Sequence, residues 1–501
     1  VAAVTLPREG AWAGGLTSDG FAVQCRADQA CDFTLEVFDD PEYKRVTQGF
    51  IATVIAVAAL HHYRDTSYVT GLKSGRKFYW RTKHDNGVDA PTYGTESTFT
   101  AGSIKTLSNE VSNWKAAVIG CAPWHPLKTN DGAAQYSAVF SRLLNHNLDF
   151  AIHNDDIYYS DIQSNFPAVP TAYAAGEFFN PPAHVDATAD KYRTNFINTY
   201  SGLNNLGYLA STGGGSRTYA QGNTMAEFKV GVPSYYMWGD HGRAFNDCSG
   251  RAIAVGDEAT RWVTGRDTGQ ELYMSLNKAL VEQDTPWTPY VSDHHYYYVD
   301  VPPCRVIVKD TTTDGDYRFN ADSPSKSKLG AAQKAWLKAT VDSNTQKYLV
   351  VISGNMLDGN HGWDQDTANW YGWKGYTYER DEIFDYIRSN GNPYRTIFVM
   401  GDTHGGGVFV DTGKNKNSAP IYCVLSGNVG WNPGLHGQIN GLQQGATGRG
   451  LEYKCVVGEG AFACLIESKR GGLQVSLDCL HAATSSNGGE VPGIKWSKLF
   501  K

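Results

Sequence analysis

The chain has 501 residues, of which 41% are hydrophobic and 19% charged. That excludes a disordered chain, and the length makes two domains the better expectation than one. A net charge of −7 argues against a broad basic field for polyanions. An anionic substrate would therefore need local positive charge, which bound cations can supply.

Residues 1–103 read as all-β. The runs FAVQCRA, FTLEVFDD, KRVTQGFIATVIAVAAL, SYVTGL, KFYWRTKHD and ESTFTAG are short, alternate in polarity and are separated by Gly, Asp and Ser turns. Their spacing predicts an immunoglobulin- or fibronectin type III-like β-sandwich. The longest apolar stretch, FIATVIAVAAL at 50–60, is too short to cross a bilayer and predicts a buried strand.

The rhythm changes beyond residue 104. WKAAVIGCAPW predicts a strand, AAQYSAVFSRLLNHN an amphipathic helix and LDFAIHNDD the next strand. GAAQKAWLKATVDS (helix), KYLVVISGN (strand), RDEIFDYIRSN (helix) and RTIFVMGDTH (strand) repeat the pattern. Residues 104–501 are thus expected to form an α/β domain with mostly buried strands. An irregular stretch from about 162 to 230, with helix over ADKYRTNFINTYSG, reads as an insertion lining or covering a site. The final GGEVPGIKWSKLFK reads as a tail docked on the surface.

Nine cysteines, an odd number, lie at 25, 31, 121, 248, 304, 423, 455, 464 and 479. Cys25 and Cys31 flank a short polar loop, and Cys455 and Cys464 suggest a second local staple. The chain starts at Val1 rather than Met, which fits removal of an N-terminal export segment. Cys121, at a strand end near aromatic and His residues, is placed to be a thiolate ligand.

Four strands share one design, an apolar run ending in metal-capable side chains: AAVIGC ending at Cys121, FAIHNDDIY carrying Asp155 and Tyr158, YYMWGDH carrying Asp240 and His241, and IFVMGDTH carrying Asp402 and His404. Ligands placed there converge at the carboxyl edge of a sheet, where active sites of α/β proteins lie. One such ending is ordinary loop chemistry, since Asp and Gly commonly open loops; four together are hard to obtain that way. Asp155 can bridge two cations, and the Tyr158 phenolate suits a hard trivalent ion. Asp240 would hold a metal while His241 donates to phosphate or the leaving oxygen. Asn246, a little downstream, is a weaker candidate for an oxygen ligand or a phosphate contact. After Asp402-Thr403-His404, three glycines allow close backbone approach. The sequence lacks a phosphate-binding loop, an H-E-x-x-H helix, a C-x-x-C pair and a G-x-S-x-G elbow.

In order, these segments resemble the PhoD family of alkaline phosphatases and related phosphodiesterases, over nearly the whole chain. Ile119-Gly120-Cys121 is similar to the family's strand ending in Ser-Cys, and Asn154-Asp155-Asp156-Ile157-Tyr158 to its Gly-Asp-x-x-Tyr. Trp238-Gly239-Asp240-His241-Gly242 stands for Trp-Asp-Asp-His-Glu. VIVKDTT matches a strand-plus-Asp-Thr segment, and Gln333, Trp336 and Leu337 match Gln-x-x-Trp-Leu. The long run ANWYGWKGYTYERDEIFDYIRSNGNPYRTIFVMGDTHGG resembles the family's Trp-x-Gly-Tyr and Arg helix leading into Gly-Asp-x-His.

The resemblance implies a calcineurin-like αββα metallophosphoesterase sandwich behind the β-sandwich. It further implies Fe3+ and Ca2+, with Zn2+ or Mn2+ as alternatives. Cys121, Asp155 and Tyr158 would bind iron, with Asp155 bridging to calcium; Asp240, Asp402 and His404 would complete the cluster, and His241 would face the phosphate. The implied reaction is hydrolysis of phosphate mono- or diesters by a metal-activated hydroxide, in an exported protein with no nucleic acid as stable partner. Three departures, Asn154, Gly239 and Gly242, sit beside ligand positions rather than on them and predict altered surroundings of a retained cluster. Two rivals are a secreted binding protein that keeps the fold without the catalysis, and a phospholipase D-like diesterase.

Overall fold

The computed structural model describes residues 11–26, 31–44, 53–57, 64–84, 92–93, 101–108, 110–120, 132–155, 228, 231–237, 239–240, 295–316, 320–355, 372–401, 405–413, 418–427, 451–482 and 492–501. The first eight strands are β1 (Ala11–Gly14), β2 (Phe21–Arg26), β3 (Cys31–Phe38), β4 (Thr53–Val57), β5 (Arg64–Val69), β6 (Lys77–His84), β7 (Thr92–Tyr93) and β8 (Ala101–Lys105). They form two antiparallel sheets, β1-β2-β5 and β4-β3-β6-β7, with β8 also paired to β6. The apolar side chains of Leu35, Val37, Phe78 and Trp80 are buried, as alternation predicts for sheets with one face inward. Thr53–Val57 is the strand expected inside FIATVIAVAAL.

The remaining described elements build one large mixed assembly. It contains β9 (Trp114–Gly120), α1 (Gly132–Asn145), β10 (Phe150–Asn154), β11 (Ser234–Tyr236), β12 (Tyr297–Val301), β13 (Cys304–Val308), α2 (Gly330–Asp342), β14 (Tyr348–Ser353) and α3 (Thr377–Asn390). It continues with β15 (Thr396–Met400), β16 (Gly405–Asp411), β17 (Ile421–Leu425), β18 (Leu451–Lys469), β19 (Gly472–Ala482) and β20 (Gly493–Phe500). Strands β9, β10 and β11 are mutually parallel neighbours, as are β13, β14, β15 and β17. The long strand β18 joins the two groups: its first half pairs with β16, its second with β9 and β19.

Alternation along these strands separates three cores. Ala116, Val118 and Ile152 face Val306, Val350 and Val399 between the sheets. Ala117, Ile119 and Ala151 pack instead on Val139, Phe140 and Leu143 of α1. Ile307, Val351 and Phe398 pack on Leu337 of α2 and Phe384 of α3. The order is helix, sheet, sheet, helix, which explains why the strands are nearly continuous apolar runs: both faces are buried.

Two expectations change. Cys455 and Cys464 lie on the single strand β18. At ~3.3 Å per residue their Cα atoms stand roughly 30 Å apart, so no staple joins them. The expected tail is partly strand β20, paired antiparallel with β19 at the edge of the sheet. The insertion lies outside the described residues apart from Phe228, which packs its ring 5.6 Å from Phe140. Among the described residues no helix is long and apolar enough to cross a membrane.

Candidate active site

Parallel pairing sends the ends of β9, β10 and β11 the same way, and those of β13, β14, β15 and β17 likewise. The two sets meet at one edge of the sandwich. A Cβ built on Gly120, at the end of β9, would stand 2.7 Å from the Ser426 carbonyl oxygen beyond β17 and 3.2 Å from that of Asn154. One on Gly401, after β15, would stand 3.0 Å from the Asp155 Cβ and 3.1 Å from the Asn154 amide. One on Gly354, after β14, would stand 3.2 Å from Asp155 Oδ1 and 2.9 Å from Thr311 Oγ1. These glycines are there because backbone and functional side chains approach too closely for any other residue.

Asp155 sits at the centre of this convergence. It is 1% exposed and has a φ of 79°, left-handed backbone that a non-glycine residue adopts at a cost. The residue before it holds the strand ends together: Asn154 Nδ2 donates to the Ser353 carbonyl oxygen at 3.3 Å and lies 3.5 Å from Ser426 Oγ. Ser353 also accepts from the Gly401 amide at 2.9 Å, and its hydroxyl accepts from Trp373 Nε1 at 3.2 Å.

Asp240 is the second expected ligand that is described. It follows β11, the parallel neighbour of β10, and is likewise 1% exposed. The Met237 amide donates to the His153 carbonyl oxygen at 2.8 Å, carrying the β10–β11 register to within three residues of Asp240. Cys121, Tyr158, His241, Asn246, Asp402 and His404 lie outside the described residues. Each of them lies in a segment that follows β9, β10, β11 or β15. Among the described residues alone, no group of three His, Cys, Asp or Glu is placed to hold a metal.

The residues present fit a cation. Two carboxylates, oxygen donors of the kind hard cations take, are buried at adjoining strand ends. Against one of them, glycines stand where side chains would fill the space.

The loop after β13 adds groups that the sequence patterns did not single out as site residues. Asp310 Oδ1 accepts from the amides of Thr312 and Thr313, each at 2.9 Å, and from Thr312 Oγ1 at 3.1 Å. Burial pushes the Asp310 carboxyl up, but nearby His295 and these hydrogen bonds outweigh it and hold it below the usual carboxylate range. Burial pushes the Tyr296 phenol up to about 12, helped by Asp314 and Asp310. Lys309 is buried with its Nζ 4.4 Å from the Trp373 ring centre, and burial lowers it to about 7. Asn355, just after β14, is fully buried. The signal for this loop and for Asn355 was the same apolar run ending in polar residues, VIVKDTT and VVISGN.

The fold is like that of PhoD and of a purple acid phosphatase. The chain superposes on a structure of PhoD with a TM-score of 0.70 at 15% identity, covering 98% of this chain and 90% of that one. It also matches a purple acid phosphatase, PPD1, from yellow lupin (Lupinus luteus) seeds, with a TM-score of 0.54 at 12% identity, covering 97% of this chain and 73% of that one. By sequence, residues 299–418 match the PhoD-like phosphatase family. No curated protein matches the chain by sequence. The resemblance to PhoD-like phosphatases is therefore shown, by sequence over that segment and by fold over nearly the whole chain.

Proposed function

We propose that this chain is a metal-dependent phosphoesterase that hydrolyses phosphate esters, an alkaline phosphatase or phosphodiesterase of the PhoD type. The observation that carries the reading is Asp155: a buried carboxylate in left-handed backbone, at the point where strand ends of both sheets meet. Strained backbone at such an edge persists where a site needs it. The family match over residues 299–418 and the PhoD-like fold support the same reaction class.

In this reading Cys121, Asp155 and Tyr158 hold Fe3+, with Asp155 shared with Ca2+, while Asp240, Asp402 and His404 complete the set; Zn2+ or Mn2+ are the alternatives. When bound, the cations supply charge neutralisation at the phosphate and acidify a water molecule. The chain's own part is positioning. Asp155 is held by the Asn154 tie and by the glycines against it, so its oxygens need little reorganisation. His241 would donate to the leaving oxygen, and Asn246 would contact the phosphate. We read the N-terminal sheets as an immunoglobulin- or fibronectin-like sandwich, and the protein as exported.

Elemental analysis and a visible absorption spectrum on protein purified without chelator test the cluster. Iron and calcium with a phenolate-to-iron band are expected, together with turnover of nitrophenyl phosphate esters. Comparing mono- with diesters then separates a monoesterase from a phospholipase D-like diesterase. Colourless protein that neither reloads with metal nor turns over any ester would overturn the reading in favour of a non-catalytic binding protein, which the departures at Asn154 and Gly239 would then explain.

A further inference from the structure

Thr311 stands three residues past the end of β13 and is 1% exposed. Among the described residues its Oγ1 has no hydrogen-bond partner. A buried hydroxyl in that state is costly, so it calls for a ligand that completes it. Its neighbours place it beside Asp155. Thr311 Oγ1 and Asp155 Oδ1 lie 2.9 Å and 3.2 Å from one point, the place a Cβ would occupy on Gly354. The missing side chain on Gly354 lets a hydroxyl from one strand end, the central carboxylate from another and the Met237 methyl group gather at this place.

The loop that carries Thr311 is held on both sides. Gln333 of α2 clamps the preceding residue: its Oε1 accepts from the Asp310 amide at 2.9 Å, and its Nε2 donates to the Asp310 carbonyl oxygen at 2.7 Å. On the other side, the Thr312 and Thr313 amides donate to Asp310 Oδ1. A hydroxyl fixed in this way is pre-organised as a donor.

We propose that Thr311 is a further substrate-contacting residue, its hydroxyl donating a hydrogen bond to a phosphate oxygen of the ester beside Asp155. The inference rests on the phosphoesterase reading. A hydroxyl suits the role because it donates to an anionic oxygen without adding charge beside a carboxylate.

The test compares Thr311→Val, which keeps the shape and removes the donor, with Thr311→Ser, which keeps the donor. Each is assayed for metal content, thermal unfolding, orthophosphate binding by calorimetry, and kcat and KM on nitrophenyl phosphate. T311V is expected to retain metal and fold, to bind orthophosphate at least fivefold more weakly and to lose tenfold or more in kcat/KM, with T311S recovering most of both. Wild-type phosphate affinity and kcat/KM in T311V overturn the assignment while leaving the phosphoesterase reading intact. If T311V does not fold, T311S decides: kcat/KM and phosphate affinity as low as those of Thr311→Ala overturn it. Wild-type protein that neither binds orthophosphate nor turns over any ester overturns the phosphoesterase reading and this one with it.

Discussion

The Asn154 side chain donates to the Ser353 carbonyl oxygen across the gap between β10 and β14, tying one sheet to the other directly behind Asp155. The family pattern has glycine at this position, which could make no such tie. The room comes from Gly401, whose missing side chain leaves the Asn154 amide only 3.1 Å from where a Cβ would stand. The departure at residue 154 thus adds a strut beside the retained carboxylate.

Asn154→Ala should weaken the meeting of the two sheets. Asn154 is fully buried, so the substitution leaves the Ser353 carbonyl without this donor and opens a small void. A loss of about 1–3 kcal/mol in a denaturant melt is expected. An unchanged midpoint would mean that the tie contributes nothing.

Asp155 separates charge from backbone. Asparagine tolerates the left-handed conformation nearly as well as aspartate does, whereas alanine does not. Asp155→Asn should therefore fold close to normally yet lose bound metal and at least 10²-fold in turnover. Asp155→Ala should lose the same activity and a further ~1 kcal/mol of stability. Full turnover in either variant would remove Asp155 from the centre of the site.

Gly354→Ala puts a methyl group into the space between Asp155 and Thr311. It would meet Met237 Cε at 2.5 Å and Thr311 Oγ1 at 2.9 Å, so these side chains must shift. Activity should fall by more than tenfold while the melting temperature moves by only a few degrees, because the methionine end is flexible. Kinetics at saturating substrate, set beside a thermal melt, check the contrast.

Lys309 predicts a pH dependence of stability. Burial lowers its ammonium from 10.5 to about 7; Lys328 acts the same way, against the opposing influence of Glu379 and Cys423. Between those values the unfolded chain holds a proton that the folded chain does not. Stability therefore rises with pH across that window and is poorest below about pH 7, where the charged form must be buried. Lys309→Met should flatten the rise and gain ~1 kcal/mol or more at pH 6.5. Denaturant melts of both proteins at pH 6.5 and 9.5 measure it, and parallel pH profiles would contradict the assignment.

Much of the fold beyond residue 110 was legible because its signals are local. Phe150–Asn154 and Thr396–Met400 are apolar runs closed by polar residues, and Gly330–Asp342 carries helical periodicity. Strands β16 to β20 were not anticipated. Leu451–Lys469 is one strand serving two sheets, and no window of sequence shows where it changes partners. The tail reading failed at Gly493–Phe500 for a related reason: an edge strand is defined by the strand it pairs with, here β19.

The sequence by itself determined which segments end in Asp155 and Asp240 and that those ends point to one edge, since apolar period and parallel crossover are written locally. It also carried the family pattern matched over residues 299–418. Only the tertiary structure decided that Asp155, Thr311 and Gly354 adjoin. They come from three strand ends in two sheets, and their closeness is set by how the sheets pack through a shared core. The left-handed backbone of Asp155 belongs there too, because a strained conformation is held by surroundings that the residue does not encode.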